Sequence, residues 1–209
     1  MHFPDWLKGR LKKSLPGIIA HKKMMAVPEN SLRFNINARE GARESGVLVL
    51  LYQKEDRWHF PLILRREYGG THSGQVSFPG GRKEDSDDSL EFTARRETEE
   101  EIGIKSTHVE ILGALTELFI PVSNYLVHPY VGIIDFVPDF IPEEREVSRI
   151  IEAPLSSLVD PDRIKSKTIR VRNYNIIAPY FDIQDEFVWG ATAMILGEVK
   201  ELLEEWDLQ

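Results

Sequence analysis

Between Gly80 and Ile104 the chain reads GGRKEDSDDSLEFTARRETEEEIGI, and this stretch constrains the fold more than any other. It carries the marks of a helix fixed at both ends. Asp87 or Asp88 is a suitable N-cap, Leu90, Ala94 and Ile102 supply the apolar positions, and Gly103 is a natural stop, so a helix is expected over 87–102. Pro79-Gly80-Gly81 precedes it, a turn whose lack of side chains lets backbone approach a ligand closely. Glu97, Glu100 and Glu101 stand at i, i+3 and i+4, so their carboxylates project from one helix face. Like charges that close repel one another and cost stability unless a cation sits among them. Magnesium suits such a set, because it prefers oxygen ligands and keeps waters and substrate phosphates in its shell. Arg96 is placed to offset part of the charge and to orient a carboxylate. A bare run of glutamates is most often solvated surface. The glycine turn before this one and the apolar-Gly-apolar stop after it set it apart.

The flanking sequence supplies strands. Residues 46–52 and 60–64 read as two strands joined by the charged turn 53–57, followed by the glycine-rich segment 69–74 and a strand-like stretch at 75–78. Further strands are expected at 109–117, 126–136, 168–171 and 176–181, the last entered through Asn173-Tyr174-Asn175. A closing helix is expected from about 191 to 206. At the other end, residues 3–19 place Trp6, Leu7, Leu11, Leu15 and Ile18 near helical spacing among basic residues. Mixed strands with a few helices predict an α/β (α+β) fold, with residues 1–40 as a helical extension packed on a domain of residues 41–209.

Composition narrows the function. The 209 residues suit one globular domain with terminal additions, and the longest wholly apolar run, 47–52, is a buried strand and far short of a membrane span. With no cysteine there is no disulfide, thiolate nucleophile or cysteine-held zinc. The first twenty residues lack an apolar core followed by a small-residue cleavage site, so a cytoplasmic protein is expected. The net charge of -8 disfavours nucleic acid as a partner. It also asks what neutralises any phosphate the chain binds, and a divalent cation held by carboxylates answers that.

The segment from Arg96 to Ile104 resembles the REUxEExGU half of the box that defines Nudix hydrolases, with Thr98 where an aliphatic residue is usual. In the first half, Gly81 is followed six residues later by Asp87, with eight residues between Asp87 and Arg96. That spacing resembles the coenzyme A pyrophosphatase branch, with its GGxxxxxD opening and SLxxTAxRE continuation, matched here by Ser89-Leu90 and Thr93-Ala94-Arg95-Arg96-Glu97. Upstream, Arg65, His72, Gly74, Val76, Phe78, Pro79, Gly80 and Gly81 agree with the pattern of that branch, while Pro61, Ile63, Arg66 and Gly70 depart from it. Weaker likeness runs through 121–132 and 189–193.

The resemblance implies an α/β/α sandwich with a mixed sheet between helices, and hydrolysis of a nucleoside diphosphate linked to another moiety. It makes Glu97 and Glu101 the principal ligands of Mg2+ or Mn2+, and Glu100 a third ligand or the base that deprotonates water. Glu143, Glu144 and Glu146 are alternative bases from outside the helix, or plain surface residues. Arg65, Arg66, Arg82, His72, Gly80 and Gly81 are the expected substrate contacts. Asp87 suits a helix cap better than a metal ligand. For coenzyme A the products would be 4'-phosphopantetheine and adenosine 3',5'-bisphosphate. ADP-ribose, NADH or a dinucleoside polyphosphate is the alternative substrate, and a non-catalytic binding module the alternative role. Either terminal helix could serve a homodimer or pack within the chain.

Overall fold

The computed structural model describes residues 2–28, 41–66, 74–171 and 174–207. Strand β1 is Val27–Pro28, and β2 (Arg43–Lys54) and β3 (Arg57–Arg65) follow as a hairpin. Its two turn residues, Glu55 and Asp56, have φ of 52° and 57°, the handedness a two-residue turn between twisted strands demands. Then come β4 (Val76–Ser77), β5 (Gly80–Arg82), β6 (Glu110–Ala114), β7 (Leu118–Ile120), β8 (Tyr125–Ile133), β9 (Val147–Pro154), β10 (Ile164–Val171), β11 (Tyr174–Ile183) and β12 (Glu186–Trp189). The helices are α1 (Phe3–Arg10), α2 (Gly17–Lys23), α3 (Leu90–Ile102) and α4 (Gly190–Asp207).

Two sheets result. The larger runs β4-β3-β2-β8-β6, with β5 on β2, β7 on β8 and β9 on β3, and among the described residues only β2 and β8 pair in parallel. The smaller joins β1, β11 and β10, with β12 on β11. The larger sheet splits in a way that makes the site. Near the hairpin, β2 and β3 pair from Tyr52–His59 to Lys54–Arg57. At the other end, β2 pairs through residues 45–47 with β5, while Ile63 and Leu64 of β3 pair with β4. The Gly80–Arg82 strand therefore lies where the sheet opens.

Alternation along the strands sends Leu48, Leu50, Tyr52 and Ile63 to one face, where they pack with Ala94 and Ile102 of α3. Val49, Leu51, Phe60 and Leu62 form the other core with α1 and α4. Helix α3 lies on β2 at backbone distance: a Cβ on Gly46 would stand 2.3 Å from the Leu90 carbonyl oxygen. This is the expected α+β sandwich, with a mixed sheet between α3 and the other helices.

The N-terminal segment forms two helices where spacing predicted one. Proline has no N–H to donate and disfavours helix at the residue before it, so the chain breaks before Gly17. Phe3 and Trp6 pack against Trp206, with ring centroids 5.6 and 5.3 Å away. A fully buried carboxylate ties α2 to α4. Glu198 accepts from Gly17 N (3.0 Å), Thr116 N (3.1 Å) and Thr116 Oγ1 (2.7 Å), and lies 3.1 Å from His21 Nε2.

Several boundaries move. Helix α3 starts at Leu90, and its N-cap is Ser89, whose Oγ accepts from Phe92 N at 3.1 Å. Neither Asp87 nor Asp88 caps it. Ser106–His108 is a 3-10 turn, so the strand expected from 109 begins at Glu110 and ends at Ala114. Strands β1, β7, β9 and β12 were not foreseen, Gly80 and Gly81, expected in a turn, pair with Val47 and Gly46 as part of β5, and β4 is only two residues long.

Candidate active site

The site is built on the last turns of α3. Glu101 is 1% exposed; its Oε2 accepts from Gly80 N at 2.8 Å, so the carboxylate is pinned to the start of β5. Its Oε1 is buried and accepts no hydrogen bond. Arg65 Nη2 lies 3.6 Å from that oxygen, an ion pair too long for a hydrogen bond. Burial pushes the Glu101 carboxyl up to about 8, with Arg65 and the Gly80 amide pulling it down, and Glu97 and Glu146 pushing it up.

Glu97 is one turn back. A Cβ on Gly81 would lie 2.3 Å from the Glu97 carboxyl carbon, so the absence of a side chain there lets the carboxylate reach β5. Burial also raises Glu97; Arg96 opposes this and the charges of Glu100 and Glu146 add to it.

Arg96 organises the cluster. Its Nε and Nη2 donate to Asp87 Oδ1 (2.9 Å) and Oδ2 (3.1 Å), a two-pronged pairing. Nη2 also donates to Glu97 Oε1 (2.9 Å) and Nη1 to Glu100 Oε2 (2.9 Å). Asp87 further accepts from Thr93 Oγ1 (2.8 Å) and Glu84 N (3.0 Å). The Arg96 hydrogen bonds hold its carboxyl at about 2, and it works as an anchor for Arg96.

Among the described residues no three His, Asp or Glu side chains are gathered closely enough to hold an ion. Glu100 is turned to Arg96 and largely exposed. Glu97 and Glu101 still fit a divalent cation. Burial raises the carboxyl of each, the charge of Glu97 adds to the rise at Glu101, and one oxygen of the fully buried Glu101 has no hydrogen-bond partner.

The acidic segment outside the helix is also fixed here. Glu143 N donates to Glu101 O (3.0 Å), Glu146 N to Glu143 O (3.1 Å) and Arg66 N to Glu146 O (2.9 Å). Of the three outlying glutamates, Glu146 is the one whose charge acts on both Glu97 and Glu101. Arg66 and Arg82 are exposed, and Arg82 offers its carbonyl to Arg96 Nη2 at 3.4 Å. His72 and Gly70 lie outside the described residues. The structure thus joins Arg65, Gly80, Gly81, Arg96, Glu97 and Glu101, and leaves Glu100 at the rim. What the sequence missed is Asp87 as the partner of Arg96; its signal is the nine-residue interval across the helix start.

The NUDIX domain family matches residues 42–178. The uncharacterized Nudix hydrolase NudL of Yersinia pestis is 32% identical over 177 residues, 83% of this chain and 86% of the relative. In fold, the chain is similar to the Nudix hydrolase RenU of M. smegmatis (TM-score 0.55, 14% identity, 86% of this chain and 94% of the other). It is also similar to the NUDIX domain of Shewanella oneidensis NrtR, solved with ADP ribose (TM-score 0.54, 15% identity, 82% and 94%). This chain belongs to the Nudix family and is a Nudix hydrolase. No helix among the described residues is long and apolar enough to cross a membrane.

Proposed function

We propose that this hydrolase cleaves the diphosphate bond of a nucleoside diphosphate derivative, coenzyme A or one of its derivatives first among them, with Mg2+ or Mn2+ held by Glu97 and Glu101. The observation that carries this is the state of Glu101: buried, pinned by Gly80 N, and with Oε1 unbonded opposite Arg65. A buried carboxylate with no partner for one oxygen is costly, and a cation removes that cost. When bound, the cation supplies charge neutralisation and polarisation of the phosphoryl oxygens.

The chain's own groups do the rest. Arg65, 3.6 Å from the free oxygen of Glu101, balances its charge. Arg96, anchored by Asp87, holds Glu97 in place and keeps Glu100 within one turn. Gly80 and Gly81, without side chains, let the backbone of β5 approach the substrate. The water proton passes to a carboxylate, either Glu100 released from Arg96 or Glu146. The coenzyme A preference is supported by the sequence pattern GGxxxxxD and SLxxTAxRE, and the cysteine-free composition suits a cytoplasmic setting.

ADP-ribose is the second reading, favoured by the structural likeness to a NUDIX domain solved with that molecule. The chain should be incubated with coenzyme A and with ADP-ribose, with and without magnesium, and the products identified. Magnesium-dependent release of adenosine 3',5'-bisphosphate, with ADP-ribose largely intact, supports the coenzyme A assignment. Cleavage of ADP-ribose alone sinks that assignment and keeps the chemistry.

A further inference from the structure

The outward face of α2 is apolar where a solvated helix is ordinarily polar. Gly17, Ala20, His21 and Met24 are buried at i, i+3, i+4 and i+7, and this face docks on α4, where Glu198 accepts from the Gly17 amide and meets the His21 ring. The other face carries Ile18, 48% exposed, and Ile19, 71% exposed. Lys22, also exposed, is one turn on from both. Sequence spacing puts Ile18 on one stripe with Trp6 and Leu11. It turns outward because the chain breaks before Gly17 and α2 docks by its own buried set.

Positive charge is concentrated in the same segment. Residues 2–28 hold Lys8, Arg10, Lys12, Lys13, Lys22 and Lys23 against one acid, Asp5, in a protein of net charge -8. Lys8, Arg10 and Lys23 are paired with Glu110, Glu205 and Glu201. Lys12, Lys13 and Lys22 are exposed and form no ion pair among the described residues. They flank the isoleucine pair along the chain on both sides. Single exposed apolar side chains are ordinary on a protein surface, but an adjacent pair bordered by unpaired cations calls for a cover that is apolar within and negative outside. A two-fold contact of this face with itself would set the lysines of one copy against the same lysines of the other. A nucleic-acid backbone offers phosphates but no apolar bed for the isoleucines. An anionic bilayer offers both, with headgroup phosphates above and acyl chains beneath.

We propose that the outer face of α2 docks reversibly on an anionic lipid bilayer, with Ile18 and Ile19 entering the interface and Lys12, Lys13 and Lys22 lying against headgroup phosphates. The contact is peripheral, since α2 has only seven residues and its inner face stays on α4. It stands apart from the hydrolytic site and from the choice of substrate.

The test is co-sedimentation of the whole chain with vesicles of phosphatidylcholine alone and of phosphatidylcholine with phosphatidylglycerol. Binding to the anionic vesicles alone is expected, weakening as salt is raised. Lys12→Ala, Lys13→Ala and Lys22→Ala combined should lower the partition coefficient roughly 100-fold, at about fivefold for each lysine. Ile18→Ser with Ile19→Ser should lower it by about tenfold or more. Melting temperature and turnover should hold in that protein, because both side chains are exposed and neither belongs to the catalytic site. If it does not fold, the lysine variant carries the test. Val137→Ser removes an apolar side chain, 59% exposed, that lies between Asp135 and Asp139 in sequence, and binding should stay as in wild type. No sedimentation with either vesicle, equal binding to neutral vesicles, or wild-type binding by the folded isoleucine variant would each overturn the proposal. Loss of binding in Val137→Ser would move the contact away from α2 and overturn it too. So would a wild-type dimer in sedimentation equilibrium that the isoleucine substitutions dissociate, which would give this face to a second copy.

Discussion

Gly81 and Glu97 are fitted so closely that a Cβ on the glycine would stand 2.3 Å from the glutamate's carboxyl carbon. A Gly81→Ala protein must therefore move the Glu97 side chain, because backbone on both sides is held by the pairing of β5 with β2. Turnover should fall on the order of 100-fold, as a displacement of about an ångström in a catalytic group does. The melting temperature should change little. Kinetics and a thermal melt check this together, and unchanged activity would show that Glu97 has room to spare.

Arg96 stands between one buried acid and two glutamates of the site. In Arg96→Ala the buried Asp87 loses both prongs of its partner, and removing one member of such a pair costs about 3 kcal/mol or more. Urea unfolding should show the loss. Because Asp87 sits low in the folded state, its contribution is present above its unfolded value and fades only as pH falls toward about 2. The deficit of the variant should thus be large at pH 7 and shrink in strong acid. A variant as stable as wild type at pH 7 would remove Asp87 and Arg96 from the account of how the cluster is held.

Glu101 has the opposite sign. Its folded carboxyl is raised to about 8, so between its ordinary value of 4.5 and 8 the metal-free folded chain binds a proton that the unfolded chain does not. Stability from this group is complete below the ordinary value and is lost as pH rises through about 8. Metal-free melting temperatures should decline across that window, and Glu101→Gln should flatten the decline. Added magnesium should raise the melting temperature more at pH 8 than at pH 6, since binding displaces the proton.

Glu198 supports the frame on which the site is mounted. Its carboxylate receives two backbone amides, a hydroxyl and a histidine ring, with no exposure. Glu198→Ala leaves those groups buried without a partner, at about 1–3 kcal/mol each by the upper bookkeeping. We expect a loss of several kcal/mol in urea unfolding and faster hydrogen exchange in α2, with KM for residual folded protein unaltered. Normal protection of α2 would contradict the anchoring role.

Much of this was legible in the sequence because the informative signals are local. The helix over the box, its Gly103 stop and the Glu97 and Glu101 face are each set by a few neighbouring residues, whereas Gly80 and Gly81, read as a turn, are drawn into β5 by pairing with the distant β2. The misplaced cap came from two adjacent aspartates that looked like capping residues, while Asp87 is drawn away by Arg96 and Ser89 takes the position. Strand β9 followed an acidic run that reads as loop, and β12 is only four residues after a turn, Gln184-Asp185, that adopts positive φ without glycine. The contributions of Arg65 and Glu146 to the Glu101 environment cross the sheet from distant positions. Such contacts depend on strand pairing and leave no spacing to read.

The most direct measurement is turnover by Glu101→Gln beside wild type, with magnesium, on coenzyme A and ADP-ribose, accompanied by a thermal melt of each protein. The substitution removes the charge at nearly constant shape. Loss of turnover with a melting temperature equal to or above wild type, most clearly at pH 8, is the predicted result. A folded Glu101→Gln protein that hydrolyses either substrate at the wild-type rate would contradict the placing of catalysis at this carboxylate.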